Sequence, residues 1–220
     1  AQRPYEALII ARAQQKLAAH KSLKIAIAGS YGKTSMREIL RTVLSEGKKV
    51  AAPGGSENTP LAIAKFIERL QGDEDILIFE LGEYYPGDIK ALCEFVEPKI
   101  GIITGVNEAH LSKFKTVEAA AATIFELADF VSPRDLFVNA DSDIALHHAQ
   151  NPQVRLVGFQ EFSHKGAGEW QVAGAHTSLD GTSFWLEKGS VRINARSTLL
   201  GLHQVGPLAA AAAIAFSLGF

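Results

Sequence analysis

The stretch Lys24-Ile25-Ala26-Ile27-Ala28-Gly29-Ser30-Tyr31-Gly32-Lys33-Thr34-Ser35 decides the fold. Residues 24–28 are a short, almost continuous apolar run of the kind found in a buried strand. A glycine turn follows and opens into a helical pattern over 35–47. Strand, glycine turn and helix in that order are the setting of a phosphate loop. Gly29 and Gly32 let the N–H groups of Ser30, Tyr31 and their neighbours turn inward around phosphate oxygens, and the helix N-terminus favours negative charge. Lys33 is placed to reach terminal phosphates and Thr34 to offer a hydroxyl to Mg²⁺. Ile27 stands where the standard Walker pattern has its first glycine. An isolated Gly-Lys-Thr reads equally well as a turn with an exposed lysine; the strand before it and the helix after it argue for the phosphate loop.

Outward from this segment, apolar runs at 24–28, 50–52, 76–81, 100–106, 136–139 and 154–159 read as strands. Helical patterns lie between most of them, at 35–47, 60–71, 87–95, 116–131 and 143–149. Apolar strands joined by helices imply an α/β fold, a three-layer and mostly parallel sheet with helices on both faces. A leading helix or linker is expected over 1–21, and one domain over 22–220. Between about 168 and 200 the texture becomes short alternating runs with an Asp180-Gly181 turn signal, predicting a small antiparallel β element. An alanine-rich helix over 207–218 closes the chain.

A composition of 47% hydrophobic and 21% charged residues, with a net charge of −2, is that of a globular protein with no electrostatic reason to bind nucleic acid or membrane. Cys93 is the sole cysteine, which excludes an internal disulfide and fits a reducing cytoplasm. The longest apolar runs fall far short of the roughly 20 residues that span a bilayer. The chain opens on Ala1 and stops after Phe220, where a helix would hand over to something else, so it is expected to be part of a longer protein.

Ligands of parallel α/β sheets gather at the carboxyl ends of strands. Glu80 follows the run 76–79 and stands where a carboxylate can bind Mg²⁺ or its water. His110, in Asn107-Glu108-Ala109-His110 after the run 100–106, is a candidate ligand, although a lone histidine is more often structural.

Together these pieces resemble the central, ATP-binding domain of the Mur ligase family, in its branch that adds a dipeptide to a peptidoglycan precursor. The matching segments are Gly29–Ser35, Glu80-Leu81-Gly82, Thr104 to Leu111, Asn139-Ala140-Asp141 and Gly201-Leu202-His203-Gln204, in the family's order along the chain. The resemblance implies ATP and Mg²⁺ as cofactors. It also implies a reaction in which a substrate carboxylate becomes an acyl phosphate that an amine then attacks, releasing ADP and phosphate. Lys33 would hold the transferring phosphate, Thr34 and Glu80 the first Mg²⁺, and His110 a second metal. Asn139 and Asp141 would lie beside the nucleotide, although an Asx turn explains both equally well. His203 and Gln204 would lie near adenine, with glutamine in place of the family's asparagine. Gly54, Gly55, Ser56, Asn58, Thr59 and Pro60 resemble the loop near the substrate carboxylate, or are an ordinary glycine-proline connection.

Two departures accompany the resemblance. Most of the family carries a carbamylated lysine fourteen positions after the matching histidine, and here that count reaches Ile124, which has no atom that coordinates Mg²⁺. Glu126 lies two positions on, a helical rotation of about 200°. The register differs, or another ligand or a single metal serves, or the chain is a nucleotide-binding homologue without efficient ligation. The amino-terminal substrate domain and the carboxy-terminal ligase domain of the family also have no room in 220 residues. Alternatives to a peptidoglycan-precursor ligase core are therefore a non-catalytic nucleotide-binding module and a ligase of folylpolyglutamate synthase-like type.

Overall fold

A computed structural model describes residues 2–55, 57–108, 111–152 and 156–220. Helix α1 (Gln2–Ala19) leads into β1 (Leu23–Ala28), α2 (Lys33–Leu44), β2 (Val50–Ala51), α3 (Pro60–Glu68), β3 (Ile76–Glu80), α4 (Asp88–Val96) and β4 (Ile100–Ile103). There follow α5 (Leu111–Phe114), α6 (Val117–Ile124), β5 (Leu136–Asn139), α7 (Asp143–Gln150), β6 (Gln160–Ser163), β7 (Gly166–Ala167), β8 (Trp170–Ser178), β9 (Gly181–Lys188), β10 (Val191–Ser197) and α8 (Val205–Ser217).

One sheet runs through all the strands, in the order β10-β9-β8-β7-β6-β5-β4-β1-β3-β2. The pairings from β2 to β6 are parallel and those from β6 to β10 antiparallel. The antiparallel element is thus an extension of the main sheet, joined to it through β6 and β7. The connection after β1 runs toward β2 on one side and that after β4 toward β5 on the other, so the strand order reverses between the carboxyl ends of β1 and β4. This is the switch point at which open α/β sheets bind ligands.

Alternation along β1 builds two cores. Ala26 and Ala28 face a cluster with Leu17 of α1, Ile63 and Ile67 of α3, Leu92 of α4 and Ile124 of α6. Ile25 and Ile27 face the other side, with Met36, Leu40 and Leu44 of α2 and Ala210 and Ile214 of α8. The small side chains of α8 let it lie close against α2 and the sheet: a methyl group at Gly206 would meet Ser163 backbone at 3.0 Å. Helix α1 is pinned at its far end, where Lys16 Nζ donates to Glu68 O and Leu70 O, each at 2.9 Å. His20 completes the attachment by pairing with Glu74 at 3.0 Å. Among the described residues no helix is long and apolar enough to cross a membrane.

Four expectations shift, the first being the run 100–106, which ends as a strand at Ile103. The sixth strand is Gln160–Ser163 instead of 154–159: Phe162 is the residue that fills the core, while residues 156–159 form a loop and 153–155 lie outside the described residues. The helix expected over 116–131 stops at Ile124 and tightens into a 3-10 turn, Phe125–Asp129. The second strand is shortened to two residues.

Candidate active site

Lys33, Thr34, Glu80, Asn139 and Asp141 gather along one edge of the sheet because β1, β3, β4 and β5 all end there. Register places Ile27 beside Glu80 and Ala28 beside Ile103, so the turn after β1, the end of β3 and the loop after β4 are neighbours. The first turn is interlocked with the third strand's exit. Ser30 N donates to Gly105 O at 2.9 Å, and the Thr104 hydroxyl faces both Ala28 O at 3.2 Å and Tyr31 O at 2.5 Å. Gly29 has φ +144°, and a methyl group there would fall 2.3 Å from Thr104 Oγ1, so this position needs glycine for both its angle and its space.

Helix α2 starts at Lys33, the position its phosphate-loop reading requires. Lys33 Nζ donates to Gly29 O and lies 3.1 and 3.0 Å from the two carboxylate oxygens of Glu83. Thr34 Oγ1 donates to Glu80 Oε2 at 3.2 Å. The Glu80 side chain is buried, and its other oxygen, Oε1, forms an ion pair with Arg37 Nη1 at 2.8 Å that lacks the alignment of a hydrogen bond. Burial raises the Glu80 carboxyl above the usual carboxylate range, against the opposing pull of Arg37, the Thr34 hydroxyl and Lys33. The Thr34 hydroxyl and Glu80 Oε2 set two hard oxygen atoms side by side, a donor pair of the kind that suits Mg²⁺, while Arg37 takes the other carboxylate oxygen.

Gly55 and Asn58 reach the same edge. Gly82 N donates to Asn58 O at 3.0 Å, and Arg37 Nη1 donates to Gly55 O at 2.7 Å. Thr59 holds the N-cap position of α3 in an extended conformation ahead of Pro60, without a side-chain capping bond. Ser56 and His110 lie outside the described residues.

On the other side of the turn, Tyr31, Gly32, Ser35, Asn139, Asp141, His203 and Gln204 line a single cleft of about 330 Å³. Asn139 Nδ2 donates to Thr104 O at 2.8 Å, and its Oδ1 accepts from Asp141 N at 3.0 Å, which is the Asx turn open to these residues from sequence. The Asp141 carboxylate accepts from His164 N at 2.7 Å. His203 is exposed, with its ring 2.9 Å from Gln204 Nε2.

Ile124 is fully buried in the core, and Glu126 accepts from Gly87 N and Lys90 N, each at 2.8 Å, capping α4. No group of three metal-binding side chains occurs among the described residues. Arg37 and Glu83 were missed from sequence. Arg37 had a usable signal, a charge inside the apolar stripe Met36, Ile39 and Leu40.

A profile of the Mur ligase middle domain matches residues 27–215. The chain belongs to this family. Among its relatives, the UDP-N-acetylmuramoyl-tripeptide–D-alanyl-D-alanine ligase of Mycobacterium bovis is 32% identical over 197 residues, 89% of this chain and 38% of the relative. The middle domain superposes on MurF from Acinetobacter baumannii with a TM-score of 0.83 at 21% identity, covering 98% of this chain and 47% of that one. It superposes on the MurF ligase of Thermotoga maritima in complex with ADP with a TM-score of 0.81 at 23% identity, covering 97% of this chain and 49% of that one. This middle domain therefore spans less than half the length of these relatives.

Proposed function

We propose that the chain is the ATP-binding core of an amide ligase that acts on a peptidoglycan precursor. One observation carries the reading: the Lys33 turn, the Thr34–Glu80 pair, the Asn58 loop and the cleft of Asn139, His203 and Gln204 all open on one edge of the sheet, in a domain of the Mur ligase family. In this reading the N–H groups of residues 29–33 and the Lys33 ammonium hold the nucleotide's phosphates, and Thr34 and Glu80 hold Mg²⁺. Bound Mg²⁺ supplies charge that offsets the negative charge developing on the transferring phosphate. Tyr31, Asn139, Asp141, His203 and Gln204 take the nucleoside, and Asn58 and Thr59 face the substrate carboxylate. His110 stands as a candidate for a further metal position. Transfer of the terminal phosphoryl group of ATP to the carboxylate releases ADP, and attack by the amine of D-alanyl-D-alanine on the acyl phosphate then forms the amide and expels phosphate, the amine giving up a proton. A cytoplasmic location fits its soluble nucleotide and precursor substrates.

The test is thermal stability with ATP and Mg²⁺, comparing the parent with Lys33→Ala. Specific binding at a hundredfold excess over Kd stabilises the parent by about 2.7 kcal/mol and should be largely lost in the variant. An equal shift in both proteins overturns the assignment of the phosphate turn. Burial of Ile124 favours a second reading, a nucleotide-binding homologue without ligation. ADP formation that requires both carboxylate and amine substrates separates the two.

A further inference from the structure

Glu83 is the partner of Lys33, although nothing in its sequence setting, Leu81-Gly82-Glu83, marks it. An ammonium has three donors, and Lys33 faces three acceptors: Gly29 O and both oxygens of Glu83, at 3.1 and 3.0 Å. Gly29 O belongs to the turn itself. Glu83 is thus the partner that an incoming phosphate oxygen would replace.

The carboxylate has little room to withdraw. Its side chain is 3% exposed, and the segment that carries it is tied at both ends. Before it, Gly82 N is held by Asn58 O; after it, Tyr84 N and Tyr85 N donate to Asp88 Oδ2 at 3.0 and 2.8 Å. Lys113 Nζ sits 4.6 Å from the Tyr84 ring centroid on the outside. A phosphate that takes Lys33 therefore meets a second anion held in place and poorly solvated, where like charges repel strongly.

We propose that Glu83 links nucleotide affinity to a divalent cation: it occupies Lys33 in the free protein and weakens the binding of a nucleotide that arrives without a cation to offset the carboxylate's charge. The inference rests on the nucleotide-binding reading of the Lys33 turn. It differs from a merely structural ion pair in its sign. A structural pair supports binding with or without the cation, whereas a competing anion weakens binding chiefly when the cation is absent.

The experiment titrates the β,γ-imido analogue of ATP into the parent chain, E83Q and E83A by calorimetry, once in EDTA and once in excess Mg²⁺. Cation-free affinity should rise on the order of tenfold in E83Q, with little change in Mg²⁺, so the ratio between the two conditions falls. E83A should move the ratio the same way, which guards against a folding defect in one variant. A ratio within about twofold of the parent's in both variants overturns the inference, as does an equal loss of affinity in both conditions. A parent chain that binds the analogue in neither condition overturns the nucleotide-binding reading as well.

Discussion

Arg37 reaches Glu80 Oε1 at 2.8 Å while donating to Gly55 O at 2.7 Å, and the side chains of Arg37 and Glu80 are each 3% exposed. One buried guanidinium thus joins α2, the end of β3 and the loop that carries Asn58. Its other nitrogens donate to Glu38 Oε1 at 3.1 and 2.8 Å. Arg37→Met should cost about 3–5 kcal/mol in denaturant unfolding, because it strands a buried carboxylate. The double variant Arg37→Met/Glu80→Gln should recover much of that loss; a double variant as unstable as the single one would show that packing, and not charge, is what Arg37 contributes.

Glu74 sets an acid limit on stability. Desolvation raises its pKa, but hydrogen bonds from the N–H groups of Gln71, Glu74 and Gly72, and from His20, outweigh burial and lower it to about 2. A carboxyl with a depressed folded-state pKa stabilises the fold above its unfolded value and loses that contribution as pH falls through the folded one. On the order of 3 kcal/mol should therefore disappear between about pH 4.5 and 2. Glu74→Gln should show a flatter stability profile over that window, measured by urea unfolding at a series of pH values.

Cys93 should be inert in the native protein. Burial, followed by the negative charges of Glu126, Asp129 and Glu94, pushes its thiol up to about 12, so almost no thiolate is present at neutral pH. Labelling by an aromatic disulfide reagent at pH 8 should proceed only as fast as α4 opens, and should accelerate with urea in parallel with unfolding. Rapid, urea-independent labelling would contradict the placement of α4.

Ile124 is a core residue first. Ile124→Ala should destabilise by about 2–5 kcal/mol, the cost of a cavity at a fully buried site. Ile124→Lys should be at least as damaging and should not raise Mg²⁺-dependent nucleotide affinity. A tolerated lysine that strengthens binding in Mg²⁺ would instead place this side chain at the metal.

The main strands were readable because each is a short apolar run covered on both faces, as at 76–80 and 100–103. Gln160–Ser163 escaped because polar residues alternate around Phe162, and its place follows from the parallel pairing with β5. Lys33, Thr34 and Glu80 were legible for a different reason: Glu80 ends a strand and the other two open the helix that follows the turn after β1, so topology alone carries them to one edge of the sheet. Glu83 looks like an ordinary solvated charge in one dimension, and Arg37 shows only as a charge within an apolar stripe, with no sign of what it pairs with. Their partners lie on distant segments, and only the register of β1 against β3 brings them together. The Asn139–Asp141 turn was left with two meanings, and both survive, since a local turn that fixes its own backbone also lines the cleft.

The interlock between Gly29 and the Thr104-Gly105 segment has an evolutionary consequence. A methyl group on Gly29 would strike Thr104 Oγ1, and one on Gly105 would strike the Tyr31 ring, each at 2.3 Å. The two segments are remote in sequence yet leave each other no spare volume, so neither glycine is free to drift while the other segment stays as it is. Lineages that alter one should carry a compensating change in the other, and a library that randomises the phosphate turn alone should return few folded members.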